Sequence, residues 1–151
     1  MIDTHVSAHF TLDEVTHSQT AGRLGIDNDL PLELMPTVKR AALGMELLRM
    51  ELNSNPIHIS SWYRSPKLNE AVGSKPTSAH LKGSAIDFTC PTQGSPEQIV
   101  RKLAKSGLVY DQLIVEFVNP NIAASGWVHV SFDGERKQCL VIDHSGTRQF
   151  A

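Results

Sequence analysis

Between residues 32 and 52 an apolar stripe runs through Leu34, Val38, Ala41, Ala42, Met45, Leu48 and Leu52. Steps of mostly three or four residues predict the main core helix, with Arg40, Glu46 and Arg49 mostly on its other face and Asn53-Ser54-Asn55-Pro56 ending it. A second stripe, Ile99, Val100, Leu103 and Ala104, follows the start signal Ser95-Pro96-Glu97 and stops at Gly107. Two short helices are expected besides. One runs from the capping box Thr11-Leu12-Asp13-Glu14, with Phe10 as staple, to about Ser18; the other opens at Ser65-Pro66 and runs to about Val72. Residues 20–31 and 73–83 read as irregular. Alternation or short apolar runs mark strands at 57–62, 84–89, 112–118, 127–132 and 137–142, with Gly134 in the turn between the last two. Helices come early and strands late, with little βαβ alternation. The expected fold is α+β, with N-terminal helices on a mostly antiparallel sheet. No repeat or long linker divides the chain, so residues 1–151 are read as one domain.

The chain has 151 residues, 40% hydrophobic and 20% charged, which suits a packed domain and excludes a disordered one. Lys plus Arg number 14 against 16 Asp plus Glu, a net charge of −2. Without a basic surplus, nucleic acid is not an expected partner. No apolar run approaches the roughly 18 residues that span a bilayer, so no membrane insertion is expected. The start Met1-Ile2-Asp3-Thr4-His5 has neither a basic nor an apolar signal region, so synthesis in the cytoplasm without a signal peptide is expected. Cys90 and Cys139 are too few for a disulfide scaffold; two buried free thiols are expected, with one staple as the alternative. A monomer is expected.

The chemistry concentrates at His80-Leu81-Lys82-Gly83-Ser84-Ala85-Ile86-Asp87. His and Asp are good zinc ligands, yet a separation of seven residues on one helix would place them about 10.5 Å apart along its axis. A turn at Lys82-Gly83 lets a loop His and a strand Asp converge instead. A third ligand is offered by Trp127-Val128-His129-Val130-Ser131, where alternation puts Trp127, His129 and Ser131 on one face and the valines on the other. Three protein ligands with an open fourth position is the pattern of a catalytic zinc site. The spacing alone also fits a loop His, a capping Asp and a strand His with unrelated roles.

Ser78-Ala79-His80-Leu81-Lys82-Gly83-Ser84-Ala85-Ile86-Asp87, followed by Trp127-Val128-His129, resembles the zinc D,D-peptidase family, which includes D-Ala-D-Ala carboxypeptidases, D,D-dipeptidases and phage L-alanyl-D-glutamate endolysins. Its small single-domain branch is the nearest resemblance. Further blocks match in order: Phe10-Thr11-Leu12-Asp13-Glu14, Thr20-Ala21-Gly22-Arg23-Leu24-Gly25-Ile26-Asp27-Asn28, Ser61-Trp62-Tyr63-Arg64-Ser65-Pro66-Lys67-Leu68-Asn69 and Tyr110-Asp111-Gln112-Leu113-Ile114. Together they cover about residues 10–132.

The resemblance implies a hedgehog-like fold, one Zn2+ held by His80, Asp87 and His129, and hydrolysis of a peptide bond in the peptidoglycan stem peptide by a carboxypeptidase or endopeptidase. It also implies a place of action at the cell wall or as a phage or virion component. Arg64 matches the family arginine that holds substrate and stabilises developing negative charge. Many relatives carry an acidic residue three positions before the third ligand, where this chain has Gly126. Glu116, in an otherwise apolar strand, is the substitute base, ahead of Asp111 and Asp133. Ser78 is expected to bond the substrate or the His80 backbone, and Trp127 to wall the cleft or pack beneath it. His5, His9, His17, His58 and His144 read as ordinary. The competing reading is a non-catalytic, zinc-stabilised wall-binding or virion module, kept open by Gly126.

Overall fold

The computed structural model describes residues 4–151. Met1, Ile2 and Asp3, on which the reading of the N-terminus partly rests, lie outside the described residues. The chain runs through α1 (Leu12–Thr16), α2 (Gln19–Leu24), a 3-10 turn (Leu32–Leu34), α3 (Met35–Glu51), β1 (His58–Ser61), α4 (Pro66–Ala71), a second 3-10 turn (Ala79–Lys82), β2 (Ala85–Thr89), α5 (Pro96–Ala104), β3 (Gln112–Glu116), β4 (Trp127–Ser131), β5 (Gln138–Asp143) and β6 (Gly146–Gln149). No described helix is long and apolar enough to cross a membrane.

The six strands form one sheet in the order β1-β2-β4-β3-β5-β6. All neighbours are antiparallel except β3 and β5, which run parallel. The fold is α+β, as the separation of early helices from late strands predicts. The α3 stripe Val38, Ala41, Ala42, Met45, Leu48 and Leu52 is fully buried. It joins Ile86 and Phe88 of β2, Leu113 and Val115 of β3, and Val128 and Val130 of β4 in one hydrophobic cluster, which α5 enters through Ile99, Val100 and Leu103. Each buried Leu, Val or Phe contributes roughly 1.5–3 kcal/mol. Because strand side chains alternate, burying these residues drives Asp87, Ile114, Glu116, Trp127 and His129 onto the opposite face.

Two local expectations are corrected and one element is added. Residues 20–31 are not wholly irregular: α2 occupies Gln19–Leu24, capped by the Ser18 side chain and closed by Gly25 at φ +65°. With only Ala21 buried, it has too narrow an apolar stripe to read in sequence. The loop-like segment 73–83 contains the 3-10 turn Ala79–Lys82. The tail beyond residue 142 adds β6, exposed along its length and held by pairing with β5, so no burial pattern announces it. Both cysteines are free; Cys90 is buried, and half-buried Cys139 lies 3.1 Å from the Tyr110 hydroxyl.

The β4–β5 connection is fastened by Asp111, just before β3. Its carboxylate accepts from Arg136 Nε at 2.9 Å and Nη2 at 2.8 Å, and the Gln138 N–H donates to its carbonyl. The hydrogen bonds from Arg136 hold the Asp111 carboxyl below the usual carboxylate range. A carboxyl lowered in the folded state adds stability that is complete above its unfolded value, roughly 4, and is lost as pH falls through the folded value. Asp111→Asn should therefore lower the melting temperature by roughly 2–4 °C at pH 7, and the gap from wild type should close as pH falls well below 4. Thermal unfolding followed by circular dichroism from pH 7 to pH 2 checks this; a constant gap would exclude the pair as its cause.

Candidate metal centre

His80 reaches the site from the turn that doubles the chain back into β2. Ser78 caps that turn, its hydroxyl accepting from the His80 N–H at 3.3 Å. Gly83 closes it at φ +73°, and a Cβ there would stand 2.5 Å from Val38 Cγ2, so glycine is required by conformation and by space. The buried Trp62 indole donates to the Gly83 carbonyl at 2.8 Å, tying the turn to the core.

The Trp62 carbonyl sets the chemistry of His80. It lies 2.6 Å from His80 Nδ1, and a carbonyl can only accept. Nδ1 therefore carries the proton, and in the neutral ring Nε2 is left as a bare lone pair. Nε2 is buried, has no hydrogen-bond partner, and sits 3.3 Å from Asp87 Oδ1, another acceptor.

Register places the other two residues. Asp87 of β2 pairs directly with His129 of β4, so both side chains leave the sheet on one face. The same Asp87 Oδ1 is 2.9 Å from His129 Nδ1, and the two imidazole centroids are 5.2 Å apart. Ligand atoms of His80, Asp87 and His129 all lie within 4.8 Å of one another. Burial opposes ionisation of Asp87, but the 2.9 Å hydrogen bond with His129 works against it, and the carboxyl stands well below the ordinary range. Burial also opposes a charge on His129, and the hydrogen bond and charge of Asp87 overcome it, raising the imidazole. Two nitrogens and a carboxylate oxygen aimed at one point, one nitrogen deprotonated and orphaned, fit a divalent cation of the zinc type.

Glu116 stands beside this group. It pairs across β3–β4 with Trp127, and its Oε1 is 3.6 Å from His129 Nδ1. Its strand lies between β4 and β5, so it is not a solvent-facing edge glutamate. Burial, then the charge of Asp87, push its carboxyl up to about 7, against the pull of His129 and Arg64. A cation held by the triad would draw it back down. Gly126 is at φ +76°, and a Cβ there would meet Glu116 O at 2.7 Å and Val118 N at 2.8 Å, so no acidic side chain fits at that position.

Arg64, Ser78 and Trp127 line the same cleft, a cavity of about 770 Å³ that also holds the triad and Glu116. Arg64 Nε and Trp127 Nε1 are buried donors without a well-formed hydrogen bond. Burial lowers the Arg64 guanidinium, while Asp87 and Glu116 support its charge. The Phe117 ring packs on Trp127 at a centroid distance of 5.5 Å. Asp111 is engaged by Arg136 and is not a lining residue of this cleft. Sequence reasoning missed the rim formed by His17, Ser18, Gln19 and Thr20, and the Trp62 carbonyl. A main-chain oxygen leaves no mark in residue identity, and the rim residues share no common chemistry.

No curated protein matches the chain significantly. The profile of the Peptidase M15 family matches residues 8–131, an interval that contains the three candidate ligands, Glu116 and Arg64. With that match over most of its length, and a buried His-Asp-His group able to hold a metal ion, the chain belongs to the Peptidase M15 family of metallopeptidases.

Proposed function

We propose that this protein is a zinc-dependent peptidase that hydrolyses stem-peptide bonds of bacterial peptidoglycan, with His80, Asp87 and His129 as ligands of one Zn2+. The observation that carries the reading is the orphaned His80 Nε2, locked as an acceptor and facing Asp87 and His129. When bound there, zinc supplies Lewis-acid polarisation of a carbonyl and lowers the pKa of a coordinated water. Glu116 takes a proton from the attacking water and delivers it to the leaving amine. Its carboxyl faces the triad, with Oε1 3.6 Å from His129 Nδ1. Arg64 directs its guanidinium at the carbonyl oxygen on which negative charge grows. Trp127 walls the cleft with Phe117, and Ser78 acts through the His80 turn that it caps.

The non-catalytic alternative rested on Gly126. Glu116, 3.6 Å from His129, provides from the neighbouring strand the carboxylate that Gly126 cannot, which favours the enzyme. We further propose that the fold is the hedgehog-like fold of the zinc D,D-peptidases. The enzyme works at the cell wall as a monomer, either in a phage or from a bacterial genome.

Purified protein loaded with zinc should release new amino groups from peptidoglycan, and a chelator should abolish the release. Mass spectrometry of the fragments then names the bond, and zinc-loaded protein that leaves peptidoglycan intact would sink the reading. Glu116→Gln should bind zinc at wild-type stoichiometry by elemental analysis yet hydrolyse roughly 10²–10⁴-fold more slowly. Undiminished activity would assign the proton transfer to another group. His80→Ala should lose zinc and activity together, measured by the same two assays.

A further inference from the structure

We propose that Asn28 is a positioning residue that sets the main-chain conformation of Arg64 and holds the N-terminal rim against the cleft; the catalytic part of this rests on the role of Arg64 given above. Asn28 is 8% exposed and lies between α2 and α3, far in sequence from every other group of the site. Its amide makes three hydrogen bonds, all to main chain. Nδ2 donates to the Tyr63 carbonyl at 3.0 Å and to the Thr16 carbonyl at 2.8 Å, and Oδ1 accepts from the Ser65 N–H at 2.7 Å. Only this orientation of the amide sets donors against the two carbonyls and the acceptor against the N–H.

Tyr63 O and Ser65 N belong to the two peptide units that flank the Arg64 Cα. The Arg64 N–H itself donates to the His80 carbonyl at 3.0 Å. Both peptide planes are thus fixed, and their relative orientation defines φ and ψ of Arg64. The direction in which the Arg64 side chain leaves the backbone, its Cα–Cβ bond, follows from them. One plane is pinned by Asn28 alone at Ser65, and the other by Asn28 together with the main chain of the first candidate ligand. The third bond, to Thr16 at the end of α1, carries the following residues, His17 to Thr20, onto the cleft rim. The Tyr63 N–H, donating to the Val15 carbonyl at 2.9 Å, runs alongside. Only a carboxamide satisfies two carbonyls and one N–H at once, and glutamine would carry it one methylene further from the backbone. Aspartate keeps the acceptor but turns an oxygen on both carbonyls, and alanine removes the partner of all three groups.

Two measurements test this. In the first, initial rates on peptidoglycan are compared for wild type, Asn28→Ala, Arg64→Ala and the double variant, all zinc-loaded. Asn28→Ala should be roughly 10- to 100-fold slower, the scale of a misplaced catalytic group, with wild-type zinc content. The losses in the double variant should combine to far less than the product of the two single losses, because Asn28 acts chiefly through Arg64. Losses that multiply would overturn the proposal. In the second, amide exchange is followed by NMR without substrate. Asn28→Ala should deprotect the Ser65 amide while the β2–β4 amides keep their protection; unchanged protection at Ser65 would overturn it too. A wild-type protein that hydrolyses nothing would refute the proposed activity, and the exchange measurement would still decide whether the clamp exists. If Asn28→Ala fails to fold, Asn28→Asp takes its place in the rate comparison, where a wild-type rate counts against the proposal.

Discussion

A single carboxylate oxygen, Asp87 Oδ1, lies 3.3 Å from one imidazole nitrogen and 2.9 Å from another, at the floor of a cleft. Charge in such a place is costly unless something of opposite sign shares it, by several kcal/mol per ion. One of the nitrogens has already surrendered its proton-bearing role, because its ring is tied by the other nitrogen to a main-chain carbonyl. Positive charge must therefore come from His129, from Arg64 in the same cleft, or from a cation between the three groups. The remaining architecture serves this contact. The core strands present Asp87 and His129 side by side, and the 3-10 turn delivers His80 from the far side.

The proposed use of Glu116 in place of an acidic residue at position 126 has a steric basis. Gly126 is left-handed and closely faced by the end of β3, so the chain entering β4 has no space for a side chain. Glu116 enters the same region from the cross-strand partner of Trp127. An antiparallel sheet permits this exchange because residues opposite each other share a face and lie about as close as near neighbours on one strand. The constraint on the chemistry is where the carboxylate ends, not which strand it starts from.

Much of this was legible in the sequence because the signals were periodic. The α3 and α5 stripes and the alternation in β4 predict both the elements and the face that His129 occupies. The turn at Lys82-Gly83, read as the device that brings His80 to Asp87, has that geometry. What stayed hidden has no periodicity. Helix α2 buries one side chain, β6 buries none, and both depend on partners distant in sequence. Asn28 was visible only as the last residue of a matching block. Its three partners are main-chain atoms, whose positions depend on the tertiary fold rather than on residue type.

The anchoring of His80 to Trp62 has a consequence for the life of the molecule. Trp62 is fully enclosed, edge-on to Phe10 and bonded to Gly83, so the scaffold beneath the ligands is built from oily contacts and main-chain bonds. In small metal-nucleated domains the ion is a structural staple, and binding energy is spent on ordering the polymer. Here that ordering is already provided. An ion bound as proposed would join a scaffold that contacts among protein groups already order.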